Sequence, residues 1–313
     1  MEKMKNIKGI LVSIVAPMDN HIANGGEKLL GNASSIKRRN DGRVYISGQM
    51  QRHVLFSAIE RLNLTDANKG NTYVSNGDGI SNAIEVDLRA DMGGFMHPSQ
   101  GSYSGRRTAP LTVTPAVAMK PSEITRDLLI RIKQNEADAS RDQALATKEM
   151  SDSDMMIMNF FLDITTLSIS KIFRYNGEYH VATEFIKHVS ENERIRRVKL
   201  FLEATRSMTD FANQARNAVS GEPQKVLIVF DNKLSRKASR YFEANETEKM
   251  NLINEIDERK VVYFIGDDTD AKSDSVGESY NKAFEMLKNS ILFDPCEGDN
   301  NIKTFEEAFC KKG

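Results

Sequence analysis

The order in which apolar, β-branched runs alternate with helix-periodic ones is the strongest constraint in this 313-residue sequence. Residues 7–17 (IKGILVSIVAP) are short and apolar, as a central strand requires. Residues 49–62 follow with Met50, Val54, Ala58 and Leu62 at helical spacing on one face. Residues 111–119 (LTVTPAVAM) resume as a strand that Pro115 confines to an edge or a bulge. A long β-rich run, residues 155–173, comes next. Residues 190–215 then place Ile195, Val198, Leu202, Thr205, Met208, Ala212 and Ala215 on one helical stripe, opened by Ser190 and Glu193 as a capping box. Residues 225–230 (KVLIVF) close the series as a buried strand. The order β-α-β, β-α-β with insertions between elements is an α+β arrangement of the ferredoxin-like or RRM-like kind.

Two insertions interrupt that order. Residues 63–105 are rich in glycine and asparagine and predict little regular structure, which inside a folded domain implies a functional or partner-ordered segment. Residues 120–154 are polar and charged. They fit either a projecting β-hairpin with a polar tip at 136–148 or a helical surface insertion, and periodicity does not choose between them. The core is then residues 1–62, 106–118 and 155–313, with an insertion at 63–105 and a hairpin at 119–154. A strand at 261–265 and a helix at 278–287 complete the core.

Composition removes whole classes. With 40% apolar residues the chain can build a substantial core, so it is not a disordered polymer. No run approaches the ~18 apolar residues of a membrane span, and the apolar stretch at 9–17 lacks a cleavage site, so it reads as a strand and not a signal peptide. Two cysteines, Cys296 and Cys310, are too few for a disulfide scaffold and point to a reducing, cytoplasmic setting. The net charge of -1 conceals an asymmetry. Residues 1–60 carry nine Lys/Arg against five acids, a net of +4, whereas residues 241–313 carry nine against seventeen, a net of −8. A basic front and an acidic tail point to a polyanionic partner. On separate faces they would let copies stack head to tail with complementary sign.

Catalytic patterns are missing. Gly25-Gly26-Glu27-Lys28 does not have the phosphate-loop spacing, and no G-x-G-x-x-G links a strand to a helix. The five histidines lack zinc spacing, and the acidic run 267–274 puts Lys272 and Ser273 where a calcium loop needs an oxygen ligand and a glycine. No serine sits in a nucleophile elbow. The sequence therefore predicts no metal, no cofactor and no enzyme.

What remains is residues 31–39 (GNASSIKRR) and residues 44–52 (VYISGQMQR). A glycine-containing loop with small polar side chains and three consecutive cations, beside a helix N-terminus, suits a phosphate backbone. The same residues also fit a solvated basic loop.

The strand at 9–17, the segment Ser34-Ser35-Ile36-Lys37-Arg38 and the segment Tyr45-Ile46-Ser47-Gly48-Gln49-Met50-Gln51-Arg52 resemble the DevR-type CRISPR-associated family. So do Met92-Gly93-Gly94-Phe95-Met96 and the strand beginning Arg106-Arg107-Thr108-Ala109-Pro110. These are the backbone ("Cas-seven") subunits of type I CRISPR Cascade complexes. The resemblance implies an RRM-like palm of the RAMP superfamily, with residues 63–105 as fingers and the hairpin at 119–154 as a thumb. It implies CRISPR guide RNA, target DNA, further copies in a helical filament and other Cascade subunits as partners. Lys37, Arg38, Arg39, Arg52, Arg106 and Arg107 would then bind phosphates, while Asn32, Ser34, Gln49 and Gln51 would bond sugar and phosphate oxygens without reading sequence.

Two other readings stay open. Target-cleaving type III cousins carry an aspartate before the basic pair; residues 31–39 contain no acid, so a metal-dependent ribonuclease would need acids such as Asp41 or Asp91. A small-molecule α/β enzyme using the acidic tail is the third.

Overall fold

The computed structural model describes residues 6–23, 27–28, 33–77, 81–96, 106–134, 141–212, 218–296 and 301–309. Its main sheet is built on β1 (Gly9–His21). β10 (Arg141–Asp163) runs antiparallel along one edge of β1, from Gly9 opposite Asp163 to His21 opposite Ser151. β13 (Lys225–Asp231) runs antiparallel along the other edge, and β14 (Val262–Asp267) extends the sheet beyond β13. On the far side of β10 lie β7 (Leu111–Val113) and β8 (Ala116–Ala118), separated at Thr114-Pro115 as a strand proline requires. β8 in turn pairs with β4 (Tyr45–Ile46).

Two long helices occupy the connections. α1 (Gly48–Thr65) joins β4 to the first insertion, and α3 (Glu191–Thr205) precedes β13. Counting only the strands that flank these helices, the sheet runs fourth, first, third, second, all antiparallel.

β1 reads as a continuous apolar run because both of its faces are covered. Ile10, Val12, Ile14 and Ala16 pack with Val54, Leu55 and Phe56 of α1 and with Val198, Phe201 and Leu202 of α3. Leu11 faces the other layer, with Phe161, Leu227 and Val229, under Ala238 of a short 3-10 helix and Ile256 of α4 (Glu246–Glu258). Each such side chain contributes about 1.5–3 kcal/mol when fully buried. α5 (Val276–Lys288) joins the first layer through Tyr280, Ala283 and Leu287.

β10 continues past the sheet and forms a hairpin with β9 (Ile124–Gln134), in register from Ser151 opposite Ile124 to Arg141 opposite Gln134. The choice between hairpin and helix is thereby settled as a hairpin for residues 124–134 and 141–151. Of the polar tip expected at 136–148, residues 141–148 are strand and 136–140 lie outside the described residues. Ten residues beyond the last pair with β1, the strand has advanced roughly 30 Å. Where β1 leaves β10, β3 (Ala33–Ser35) takes its place along the same edge, in parallel, with Ser34 opposite Lys148. β2 (Glu27–Lys28) pairs with β3. The glycine-containing loop expected within residues 31–39 is thus strand at Ala33–Ser35.

Other expectations need correction. The run at 155–173 is two elements. β10 ends at Asp163, a turn follows, and β11 (Ile169–Asn176) leaves the sheet to pair with β12 (Tyr179–Lys187). α3 stops at Thr205, ten residues short of residue 215. Thr205 Oγ1 donates to the Leu202 carbonyl and meets the Tyr280 hydroxyl at 2.8 Å, so the chain end is fixed by a tertiary contact that periodicity does not reveal. Only half of the expected capping box forms. Ser190 accepts from the Glu193 amide, but the Glu193 carboxylate accepts from Arg196 and Arg197 instead. α4 is an element the expected order does not include, although Asn245 and Glu248 form a full capping box at its start.

Within residues 63–105, the described stretches 63–77 and 81–96 are more ordered than their composition predicts. Tyr73 bridges Asp87, and α2 (Leu88–Gly93) follows, capped by the Asp87 carboxylate. At Gly94, φ +67°, a Cβ would lie 2.5 Å from the Arg107 carbonyl oxygen, so only glycine lets β5 (Phe95–Met96) approach β6 (Arg106–Arg107). α6 (Phe305–Phe309) sets Phe305 edge-on to Phe95 at 5.3 Å. Among the described residues, no helix is long and apolar enough to cross a membrane.

Candidate nucleic-acid interface

The basic stretch lies where the sheet becomes the hairpin. Ser34, half-buried in β3, sits beside Lys148 at the hairpin base. Ile36 is buried in a small apolar cluster with Ile22 and Val44 that pins the chain down. Lys37, half-buried, and Arg38 and Arg39, exposed, then run along the surface. Arg38 bridges Val44, and the Tyr45 amide donates to the Lys37 carbonyl, so the strip leads straight into the start of α1. There Ser47 accepts from the Met50 amide, and Gln49 is exposed on the first turn. Cations, hydroxyls and a helix N-terminus therefore share one surface.

None of Lys37, Arg38 and Arg39 forms an ion pair among the described residues. The nearby Asp41 is engaged: the Arg43 Nε donates to it at 2.7 Å, and this bond holds its carboxyl below the usual range. Arg43 also reaches Glu243 at 3.3 Å. Basic front and acidic tail thus touch at this point within one chain.

Arg52 is half-buried, with one guanidinium nitrogen bonded to the Gly93 carbonyl and its plane 5.7 Å from the Phe56 ring centre. Burial, and then the neighbouring Arg89, lower its pKa. It ties α1 to α2.

Gln51 and Arg107 point inward, against the expectation for both. Gln51 is fully buried, and neither of its amide atoms has a partner among the described residues. The Arg107 side chain is 7% exposed. It donates to Asp91 Oδ1 at 2.6 Å, to the Thr166 carbonyl at 2.7 Å and to the Ile169 carbonyl at 2.9 Å. Its charge is spent on the interior. Asn32 lies outside the described residues, as does the Arg106 side chain.

Asp91 is the centre of that interior network. Its Oδ1 accepts from Arg107 and the Ser168 amide, and its Oδ2 from Arg197 at 2.7 Å and the Ser168 hydroxyl at 2.6 Å. Burial pushes the carboxyl pKa up, but Arg197, Arg107 and Ser168 outweigh it and hold the group ionised. Among the described residues, no three His, Cys, Asp or Glu side chains are grouped to hold a metal ion.

Two members of the strip escaped sequence reasoning. Arg126 pairs with Glu149 at 3.0 Å while staying 71% exposed, and Glu149 also accepts from the Ile36 amide. Lys148 and Glu149 meet residues more than a hundred positions earlier. The one usable signal was the hairpin register, which depends on a tip length that composition does not fix.

A family model described as CRISPR-associated negative auto-regulator DevR/Csa2 matches residues 31–220, more than half of the chain. No curated protein matches the sequence significantly. Among solved structures, a chain of a "CRISPR RNA-guided surveillance complex" superposes with a TM-score of 0.52 at 14% identity, over 88% of this chain and 98% of its own. A second, from a "CRISPR RNA-guided surveillance complex, pre-nicking", gives 0.50 at 10% identity over 90% and 100%. At these identities the likeness is one of fold.

Proposed function

This chain belongs to the CRISPR-associated DevR/Csa2 family, and from that membership we propose that it is a non-catalytic backbone subunit of a type I Cascade complex. It binds guide RNA along the sugar–phosphate backbone in repeated copies and presents it for pairing with target DNA. The main sheet with α1 and α3 is an RRM-like palm of the RAMP kind, residues 63–105 are fingers, and the β9–β10 hairpin is a thumb. Further copies and other Cascade subunits complete a cytoplasmic ribonucleoprotein.

One observation carries the reading: the cations Lys37, Arg38 and Arg39, which form no ion pair among the described residues, run from the hairpin base, at Ser34 and Lys148, to the N-terminus of α1. Phosphate-binding groups in that row position a strand without reading its sequence. The assignment of no catalysis draws support from the two acids singled out as examples of what a nuclease could use. Asp91 has both oxygens occupied by buried donors, and Asp41 is held by Arg43.

The test is expression together with a guide RNA, followed by purification and sizing. Co-purifying RNA, visible as a high absorbance ratio at 260 to 280 nm in a protein with 0 Trp, and a mass that grows with guide length are the expected results. A protein that elutes free of RNA, or one fixed oligomer at every guide length, overturns the proposal. Metal-dependent cleavage of paired RNA would instead assign the ribonuclease.

A further inference from the structure

The β11–β12 hairpin has a face of unusual composition. Its register sets Lys171 opposite Phe185, Phe173 opposite Thr183 and Tyr175 opposite His180, so these six side chains share one side. Phe173 is 54% exposed and Tyr175 62%. His180 lies edge-on to both rings, at 5.7 and 5.8 Å between centres, and Lys171 Nζ stands 5.8 Å from the Phe185 ring centre. Among the described residues of the hairpin, no carboxylate shares the face. Glu184 is opposite Ile172 on the reverse side and bound by Arg174 at 2.8 Å, and Glu178 is in the turn.

The base of the hairpin is held firmly. Ser170 Oγ and His188 Nε2 are 2.8 Å apart, Arg107 donates to the Ile169 carbonyl at 2.9 Å, and Lys187 pairs with Asp294. Cross-strand pairs among these rings add only roughly 0.2–1 kcal/mol each to the ribbon, which leaves most of their exposed surface without a structural use. Rings presented at alternate positions beside a lysine, with Glu184 kept to the other side, make a surface on which successive bases can stack. Protein contacts also use aromatic rings, but a face with a lysine and, among the described residues, no carboxylate favours a polyanion, and a contact between copies is an outcome of the test.

We propose that the aromatic face of this hairpin, Lys171, Phe173, Tyr175, His180 and Phe185, binds single-stranded nucleic acid by stacking on its bases. This site is separate from the strip that follows the phosphates, and a free oligonucleotide suffices to occupy it. The bases are the recognised chemistry, so RNA and DNA bind alike.

The chain has 0 Trp, so Tyr175→Trp supplies a single emitter at the site while keeping a stacking ring. Short oligouridine and oligodeoxythymidine should both quench it saturably, with affinities within about threefold of each other. Adding Phe173→Ala should weaken binding by about fivefold or more at unchanged melting temperature, because the ring is exposed. Combining Tyr175→Trp with Lys37→Ala and Arg38→Ala should leave the quenching in place, so failure of the phosphate strip and failure of this site are told apart. Saturated binding by anisotropy without quenching would overturn the proposal. A preference of more than about tenfold for RNA or DNA would also overturn it, by moving recognition to the sugar. So would self-association without nucleic acid that Phe173→Ala abolishes, which would make the face a contact between copies.

Discussion

Arg197 Nη1 and Asp91 Oδ2 meet at 2.7 Å with neither side chain exposed to solvent, and through them α3 of the core is bonded to α2 of the first insertion. The same carboxylate holds Arg107 of β6 and Ser168 of the turn before β11. A buried charge pair gives little net stability over an apolar substitute, but removing one partner strands the other. Asp91→Asn removes the carboxylate shared by two buried guanidiniums, of which Arg197 keeps Glu193 at 2.9 Å, and should cost roughly 3–5 kcal/mol in urea unfolding. A loss below about 1 kcal/mol, the size of a surface pair, would show that the network is not what joins the insertion to the core.

The phosphate strip and the interior network should respond oppositely to loss of charge. Lys37→Ala with Arg38→Ala is expected to leave melting unchanged and to weaken binding equally for unrelated guide sequences. The slope of log K against log salt should flatten by about one to two, at ~0.7 per contact on a single strand. Arg107→Ala should lower the melting temperature instead. Equal affinity of the double variant and the parent at low salt would remove the strip from the interface.

Trimming the β9–β10 hairpin separates a role between subunits from a role within one. Thr147 and Lys148 of β10 pair with β3, so a deletion reaching them would damage the strip itself. Replacing residues 133–142 with Asn-Gly joins Ile132 to Gln143, which are already opposite each other, through a two-residue turn. Normal melting with failed multi-copy assembly on a long guide is the expected result, read by gel filtration. Normal assembly would reduce the hairpin end to decoration.

His188 predicts a pH dependence. Burial is the main cause that holds its pKa down to about 4, below the ordinary 6.5, with its Nδ1 2.8 Å from the Lys303 carbonyl oxygen. Because the folded pKa is depressed, the unfolded chain binds a proton that the folded chain refuses between those values. Stability is therefore complete above pH 6.5 and falls as pH drops toward 4, by up to on the order of 3 kcal/mol. Asp91 and Asp154, also held low, lose their contributions only below the ordinary carboxylate range. His188→Gln should flatten the unfolding free energy between pH 6.5 and 4.5, and an unchanged slope there would remove His188 as its source.

The elements that sequence located share one property: their signal is local and repeated. Residues 7–17, 49–62 and 225–230 fall on β1, α1 and β13 because apolar spacing reports which face is buried, whatever covers it. Pro115 divides β7 from β8 for a reason contained in one residue. The site was legible only in part. Lys37, Arg38 and Arg39 advertise themselves as a run of cations, whereas Gln51 and Arg107 look the same in the sequence as exposed polar residues and are buried. Arg107 is the more instructive, since an arginine written next to Arg106 in a glycine-rich stretch carries no mark of the carboxylate at Asp91 that captures it.

What the sequence determined by itself is therefore the order of strands and helices, the absence of familiar catalytic spacings and the position of a basic stretch before a helix. Tertiary structure alone decided that α3 ends at Thr205, that β10 bends away at Asp163 so that β11 pairs with β12, and that Glu193 serves two arginines in place of a capping box. It also placed Ser34 against Lys148 across more than a hundred residues. The division has a physical cause. Periodicity and turn chemistry act between near neighbours, where a few dihedral angles fix the geometry, but a charge or hydroxyl is free to satisfy any partner the fold brings within about 3 Å. Which partner that is depends on the packing of the whole chain.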